Sequence, residues 1–524
     1  MTERKFETQK FTFIDLFAGI GGFRIALQNI GGKCLGFSEI APDAIETYCK
    51  NFNETEKSNF GDITKLRDLP EHDFLTAGVP CQSWSIAGKN LGFDDDRGQL
   101  WNDALYLLNK SRPKAFIFEN VKGLSDPRNK NALDYIMRRI KEAGYYAQKY
   151  VLNASDYGVP QSRVRIYIIG FREEMYFRRF SLPELFTERS CLANILDNLE
   201  FNQPGISEKN INVKNQQSLS CNAQGFNDYF LFNDLRGGET TIHSWDIKPS
   251  TERQKMICNL LLRNRRKPYY GFLDGNPLSL KHFQELDDSI TQKELDELVR
   301  LGIFKTVNYL YEISSLDKIE SDDEKLLLSF ASNNILNIDR IKNQREIKKR
   351  KININEQLKK LEEKGIVQCM ETRYEFKNSK ISTGLNGVNR IFLPSSKIYP
   401  TLVASDTNDF VSTVQIQADS ISEFREKFLS EVYFPHNFRK ITKTETCRIQ
   451  GFPDDFLLPE SRPRWMKLLG NSVSVLVIQK LAQQVLNTGV FGEEYKSLPN
   501  KKNDFQPTLF PKLFDEEYEN AANS

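Results

Sequence analysis

Between residues 11 and 175 short apolar runs alternate with segments of helical spacing, and this alternation narrows the folds open to the chain more than any other feature. Strands are predicted at Phe11–Phe17, Lys33–Ser38, Phe74–Ala77, Ala115–Glu119 and Val164–Phe171. Between the first two, Phe23, Ala26, Leu27 and Ile30 recur at helical spacing. After the second, Pro42 suits the first turn of a helix whose apolar stripe would be Ile45, Cys49 and Phe52. An α/β sheet domain follows, and open sheets of this class bind ligands in the crevice beyond their strands.

The chain has 524 residues, more than one ordinary core accommodates, so two or three domains are expected. Hydrophobic residues at 39% and charged residues at 27% are the mix of a soluble globular protein. No stretch has the length and apolarity of a membrane span, and the N-terminus lacks a signal peptide's apolar run. Eight scattered cysteines without a C-x-x-C pair argue against a zinc site or a disulfide framework, so no metal is expected and the setting should be cytoplasmic. With a net charge of +2, any nucleic-acid contact must come from local basic surface. Residues 1–175 are expected to form the catalytic and cofactor-binding domain and 176–435 a second domain. Residues 436–490 should return to complete the first, and 491–524 should be a flexible polar tail.

The middle region contains an echo. Leu295, Leu298, Gly302 and Ile303 are matched by Leu358, Leu361, Gly365 and Ile366, an offset of 63 positions, and Tyr311-Glu312 is matched by Tyr374-Glu375. Each copy reads as a helix ended by glycine and followed by two short strands. Tandem winged-helix-like modules at about 250–315 and 320–378 would look this way, as would two unrelated amphipathic helices.

Three segments carry residues suited to chemistry. Asp15-Leu-Phe17-Ala-Gly19-Ile-Gly21-Gly22 joins a strand to a helix, and its glycines let backbone approach a ligand closely. Glu39 ends the next strand, where a carboxylate can accept ribose hydroxyls. The turn lacks the Lys-Ser/Thr of a phosphate loop, so a nucleoside fits better than a triphosphate. Next, Gly78-Val-Pro80-Cys81-Gln82 sets a cysteine at a strand's end beside a proline turn. Finally, Phe116-Ile-Phe-Glu119-Asn120-Val121 puts an acid on an apolar strand, and Gln161-Ser-Arg163-Val-Arg165 leads two arginines into another. A nucleophile, a buried acid and paired arginines make a catalytic set.

In order and spacing these segments resemble the DNA cytosine-5 methyltransferases of bacterial type. The resemblance resumes in Arg390-x-x-x-Pro394, Tyr399-Pro-Thr401-Leu402, Arg439-Lys-Ile-Thr442, Arg448-Ile-Gln-Gly451-Phe-Pro453 and Gly470-Asn471-Ser-Val473. It implies a Rossmann-like S-adenosylmethionine-dependent methyltransferase sheet domain with a separate target-recognition domain. It also implies methyl transfer to carbon 5 of a cytosine flipped out of duplex DNA. Cys81 would add to carbon 6. Glu119 would hydrogen-bond nitrogen 3 and the exocyclic amine, which calls for a carboxyl of raised pKa. Arg163 and Arg165 would bracket the base's carbonyl. The base that removes the carbon 5 proton stays open between water and a side chain. For the cofactor the resemblance carries over Phe17, Gly19, Gly21, Gly22, Glu39, Ile40, Asp62, Ile63, Leu100, Asn471 and Val473.

DNA contacts are expected from Gln82, Ser85 and Thr401, and from Lys348, Lys349 and Arg350 in a basic stretch that is otherwise a solvated helix face. Residues 82–99, with Gly88, Gly92 and Gly98, read equally as a loop closing over DNA and as ordinary surface loop. In the tail, Gln506-Pro-Thr-Leu509-Phe510 resembles the short peptide that docks on the replicative sliding clamp. Its alternative is packing of Leu509, Phe510, Leu513 and Phe514 on the enzyme itself. A companion restriction endonuclease that need not bind the enzyme, a monomeric state and a nucleoid-associated location complete the expectations. Ser-Trp-Ser85 after Pro-Cys-Gln, and the length of the middle region, depart from the commoner pattern. The rival readings are an RNA-methylating relative, a catalytically dead regulator and a winged-helix repressor.

Overall fold

The computed structural model describes residues 10–80, 96–186, 190–197, 227–233, 238–316, 319–378 and 383–492. Cys81, Gln82, Ser85, Gly88, Gly92 and the tail peptide Gln506–Phe510 with Leu513 and Phe514 lie outside the described residues. The chain divides into two units. One takes residues up to Leu152, Val164–Leu185 and Val473 onward; the other takes Asn153–Arg163 and Phe186–Ser472.

The first unit is built on six strands: β1 (Phe11–Leu16), β2 (Gly32–Ser38), β3 (Phe74–Gly78), β4 (Ala115–Val121), β5 (Tyr146–Asn153) and β6 (Val164–Phe171). Their order is β2-β1-β3-β4-β6-β5. The pairings β1–β2, β1–β3 and β3–β4 are parallel, and β6 runs antiparallel to β4. β1, β3 and β4 are buried almost throughout, as strands covered on both faces must be, which is why they read as unbroken apolar runs. The covering helices include α1 (Gly22–Gln28), α2 (Pro42–Phe52), α3 (Asp96–Ser111) and α4 (Lys130–Glu142). The helix Val475–Asn487 packs on α1, and Phe491 stacks on Phe11 with ring centroids 4.7 Å apart. Because β2 and β3 flank β1 on opposite sides, the order reverses at β1, and the turns after β1, β3 and β4 share one end of the sheet.

All five predicted strands form, and β5 is the one without a forecast. It is the polar edge strand, with most of its side chains partly or fully exposed, so no apolar run announces it. In α2 the buried face is Ala44, Thr47 and Tyr48, while the expected stripe of Ile45, Cys49 and Phe52 is only half-buried. The helix is turned because the Tyr48 ring stacks on Phe37 of β2 at 3.8 Å.

The second unit corrects the reading of the echo. Both copies have the expected helix and glycine: Gln292–Arg300 before Gly302 at φ +66°, and Ile354–Glu363 before Gly365 at φ +72°. Each is followed by one strand of 10 residues, Phe304–Ile313 and Val367–Phe376, rather than by two short ones. These strands pair antiparallel with each other, Phe304 opposite Phe376 and Ile313 opposite Val367. One end of the ribbon therefore puts Phe304, Tyr374 and Phe376 into the core of the first copy. The other puts Tyr309, Tyr311 and Val367 into the core of the second. A second, five-stranded sheet of short strands, from Tyr229–Phe232 to Phe438–Arg439, completes the unit.

The division also falls elsewhere than the boundaries expected from sequence. Residues 436–472 group with the second unit, where Arg439 pairs with Glu445 and Arg448 with Asp197, and the return to the first unit begins at Val473. Among the described residues no helix is long and apolar enough to cross a membrane.

Phe376 is fully buried and meets Phe304 edge-on at 5.4 Å. Phe376→Ala should therefore cost roughly 3–5 kcal/mol. A clear fall in the urea midpoint, followed by circular dichroism, is the expected result; an unchanged midpoint would show that the ribbon is not holding the cores.

Candidate functional site

At the end of β1 the chain turns sharply: Phe17 has φ +53°, Gly19 +56° and Gly21 +87°. A Cβ on Gly21 would stand 2.3 Å from the Phe52 ring, so only glycine fits there. Gly19 and Gly61 also have positive φ, yet among the described residues no further atom lies within 4 Å of where their Cβ atoms would be. Gly22 opens α1.

Glu39 ties this turn to the end of β2. Its Oε2 accepts from Gly19 N at 2.8 Å, and its Oε1 accepts from Ile40 N and Ala41 N, each at 2.8 Å. Asn59, which sequence reasoning did not single out, fastens the same corner. Its Oδ1 accepts from Glu39 N at 3.1 Å and Gly61 N at 2.9 Å, and its Nδ2 donates to Glu39 O at 3.0 Å. Ser38 Oγ donates to Gly61 O at 2.6 Å. The next residue, Asp62, is half-buried, and its Oδ1 accepts from Thr64 N and Oγ1, which holds its carboxyl below the usual range. Ile63 is buried in the core, Phe17 and Leu100 are half-buried against it, and Ile40 is 69% exposed. A carboxylate, an exposed apolar side chain and open space beside two glycines suit a nucleoside, and so fit the adenosine part of S-adenosylmethionine.

Asp15 is a second residue that was quoted without a role. It is fully buried: Oδ1 accepts from Thr76 Oγ1 at 3.1 Å, and Oδ2 has no hydrogen-bond partner among the described residues. Burial pushes its carboxyl up to about 8, against the lowering effects of the Thr76 hydrogen bond and Arg24. It is a neutral acid at neutral pH.

The reactive end is assembled where β3 and β4 run side by side, with Gly78 opposite Glu119. Asn120 Nδ2 donates to Val79 O at 3.2 Å and so anchors the turn that leads into Pro80 and Cys81. Gly78 also lies beside Val473, with 3.9 Å from its Cβ position to Val473 Cγ1. Glu119 is buried and paired with Arg165, whose Nε is 3.1 Å from Oε1. The pairing follows from the antiparallel β4–β6 register, which sets Val121 opposite Arg165 and Glu119 opposite Tyr167.

Arg163 precedes β6 and belongs to the second unit. Its guanidinium is buried, donating to Leu402 O at 3.0 Å, Gly470 O at 3.3 Å and Ser472 O. The structure thus brings together three segments that the sequence keeps far apart. Gln161 and Tyr399 form a parallel bridge, Ser162 N donates to Tyr399 O at 2.8 Å, and Thr401 Oγ1 donates to Ser162 O. Within this junction Gln161 is buried, and neither amide atom is hydrogen-bonded to a described residue. Asn471 is exposed at the end of the helix Arg462–Asn471. Lys348, Lys349 and Arg350 stand exposed on the helix Arg345–Arg350, and Arg350 is paired with Asp323 at 3.3 Å.

The profile of the C-5 cytosine-specific DNA methylase family matches residues 11–267 and 263–487. The type II methyltransferase M.HgiBI of Herpetosiphon aurantiacus is 37% identical over 496 residues, covering 93% of this chain and 99% of its own. M.NlaIV of Neisseria lactamica is 30% identical over 509 residues, 92% of this chain and all of its own length. M.HhaI of Haemophilus parahaemolyticus is 39% identical over 208 residues, 39% of this chain and 63% of its own. Among solved structures, that of the Entamoeba histolytica methyltransferase EhMeth superposes with a TM-score of 0.45 at 15% identity, covering 92% of this chain and 99% of its own.

Asp15 generates a pH prediction. Its carboxyl ionises near 3.8 when unfolded and near 8 when folded. The folded state therefore keeps a proton that the unfolded state has lost, and stability falls as pH rises through that window. In Asp15→Asn this fall should be absent. Its thermal midpoint should gain on the wild type between about pH 5 and about pH 8; a constant offset across the window would mean that Asp15 is not a buried neutral acid.

Proposed function

Since the chain belongs to the C-5 cytosine-specific DNA methylase family, we propose that it methylates carbon 5 of a flipped cytosine in a specific duplex sequence, through a covalent adduct with Cys81. The observation that carries this reading is the join of β3 and β4, where the Gly78-Val79-Pro80 turn leading to Cys81 is fixed by Asn120 beside the buried Glu119–Arg165 pair. S-adenosylmethionine, when bound, supplies the electrophilic methyl group. Glu39 would hold its ribose, Ile40 and Phe17 its adenine faces, and Asp62 the adenine amine, with Leu100, Asn471 and Val473 around the rest.

Cytosine is a weak nucleophile at carbon 5. Addition of the Cys81 thiolate forms a bond from Sγ to carbon 6 and moves the ring's electron pair toward carbon 5, which then takes the methyl group. Loss of the carbon 5 proton to a base or water returns the pair to the ring and expels the thiolate. Glu119, hydrogen-bonded to nitrogen 3 and the exocyclic amine, would stabilise the adduct, and Arg165 keeps that carboxyl in place. The carbonyl contacts of Arg163 make it a positioning residue in this reading. It braces the junction of Gln161–Arg163 with Leu402, while Arg165 is left to face the base. The matching relatives are type II methyltransferases aligned over the middle region as well, which supports duplex DNA over RNA and a place in a restriction-modification system.

Mapping 5-methylcytosine in DNA from a host expressing the protein gives the target. A duplex carrying 5-fluorocytosine there should form a denaturation-resistant complex with the wild type and none with Cys81→Ala. The variant should lose methyl transfer yet keep cofactor affinity, because the thiolate acts in chemistry and not in nucleoside binding. Turnover by Cys81→Ala at even a few per cent would overturn the covalent mechanism.

A further inference from the structure

The loop at residues 265–276 presents two large aromatic side chains to solvent, Tyr269 at 70% and Phe272 at 76% exposure. Single exposed apolar residues need no explanation. This pair differs because the backbone beneath it is held from several sides. Phe272 N donates to Asp339 Oδ2 at 3.2 Å, and Leu273 N donates to Asn276 Oδ1 at 2.9 Å. Asn276 Nδ2 donates to Gly271 O at 3.1 Å and Arg265 O at 3.0 Å, and Arg373 Nη1 donates to Tyr270 O at 2.9 Å. Gly271 has φ +146°, and a Cβ there would come within 2.2 Å of Asp339 Oδ2 and 2.5 Å of Asn276 Oδ1. Tyr269 is further tethered by its hydroxyl, which donates to Glu285 Oε2 at 3.1 Å. The fold gains little by exposing Phe272, yet it fixes the backbone that does so.

The charge around the loop indicates what covers it. Asp274 is neutralised by Arg266 at 3.0 Å, whereas Glu285, which accepts the Tyr269 hydroxyl, has no ion pair among the described residues. Lys267 on the loop, and Arg340 and Lys342 on the abutting helix Ile338–Lys342, take part in no ion pair among the described residues. That helix meets the loop through Asp339 and through Asn343 Nδ2, which donates to Phe272 O at 3.5 Å. Held aromatics with three cations on the same loop and its abutting helix, against the one carboxylate of Glu285, suit bases flanked by phosphates, with apolar contact to the bases and charge on the backbone.

We propose that this loop is a base-contacting element for duplex DNA, with Phe272 reaching the bases and Lys267, Arg340 and Lys342 seating the adjoining phosphates. This rests on the reading of the chain as a DNA methylase and locates part of target recognition in it.

The test uses the full-length protein and a duplex containing the mapped target. Phe272→Ala should raise the KM for the duplex about tenfold or more, with thermal midpoint and cofactor affinity unchanged, because the side chain is exposed. Replacing Lys267, Arg340 and Lys342 by glutamine should weaken binding to all duplexes alike and make the salt dependence shallower by about two to three phosphate contacts. Met175→Ala, an exposed apolar site on the first unit at 46%, should change nothing. If Phe272→Ala keeps wild-type KM and site selectivity, or instead shifts only self-association in sedimentation, the proposal is overturned while the methylase reading stands. A wild type that methylates no duplex would overturn both.

Discussion

The carboxylate of Glu39 receives three main-chain N–H groups, one from the glycine turn after β1 and two from the chain leaving β2. Parallel strands end with backbone groups that no neighbouring strand satisfies; the half-buried Gly19 N–H must find an acceptor, and the exposed Ile40 and Ala41 N–H groups share the same one. One side chain meets that need for two adjacent strand ends at once, and in doing so sets the distance between them. Asn59 then does the same for the third segment, through Gly61. The open space beside Gly19 and Gly61 is therefore bounded by a hydrogen-bonded frame and not by packing, which is how a polar ligand site can stay open and still be rigid.

The reactive end repeats the device with different residues. Asn120 takes up the Val79 carbonyl, and Arg165 takes up the Glu119 carboxylate. Burial of a lone carboxylate would be costly; pairing it across antiparallel strands removes that cost and aims it. Arg163, two residues earlier, would point the same way if it lay in the strand. It does not act as a strand residue, because Gln161 and Ser162 are already bridged to Tyr399 and the guanidinium of Arg163 is drawn onto the carbonyls of 402, 470 and 472. Motifs more than 200 residues apart are joined through main-chain atoms, so their side-chain identities alone give little hint of the junction.

This explains what was legible in the sequence. Apolar periodicity marked β1, β3, β4 and β6 because burial on both faces leaves little freedom of composition, while β2, half-buried or exposed over its first four residues, showed through its buried end. It was silent on β5, an edge strand that water covers. Glu39, Glu119 and Arg165 could be picked out because a charged residue ending an apolar strand is unusual. Asn59 could not, and Asn120, though quoted in Glu119-Asn120-Val121, gave no sign of its role, since an asparagine that bonds main chain looks like any turn asparagine until the strands are placed. The echo of Leu295–Ile303 in Leu358–Ile366 showed that a helix and glycine recur, but pairing partners are a long-range property. The two strands that follow found each other, where the local pattern suggested a separate wing for each.

That pairing has a consequence beyond stability. Because each strand of the ribbon serves both cores, residues of the second copy are carried to the first. Arg373, on the second strand, lies 3.6 Å over the ring of Tyr309, on the first, and reaches the carbonyl of Tyr270. Asp339, from the helix beyond the second copy's edge strand, accepts the N–H of Phe272. A loop tied only to its own helices would be free to relax when its aromatic tip met a ligand, and the lost freedom would be charged against binding. Here the tip is ordered by contacts from the other copy before any ligand arrives. The faint echo in the sequence thus becomes a shared ribbon, the ribbon a polar hub, and the hub the source of the rigidity beneath Phe272.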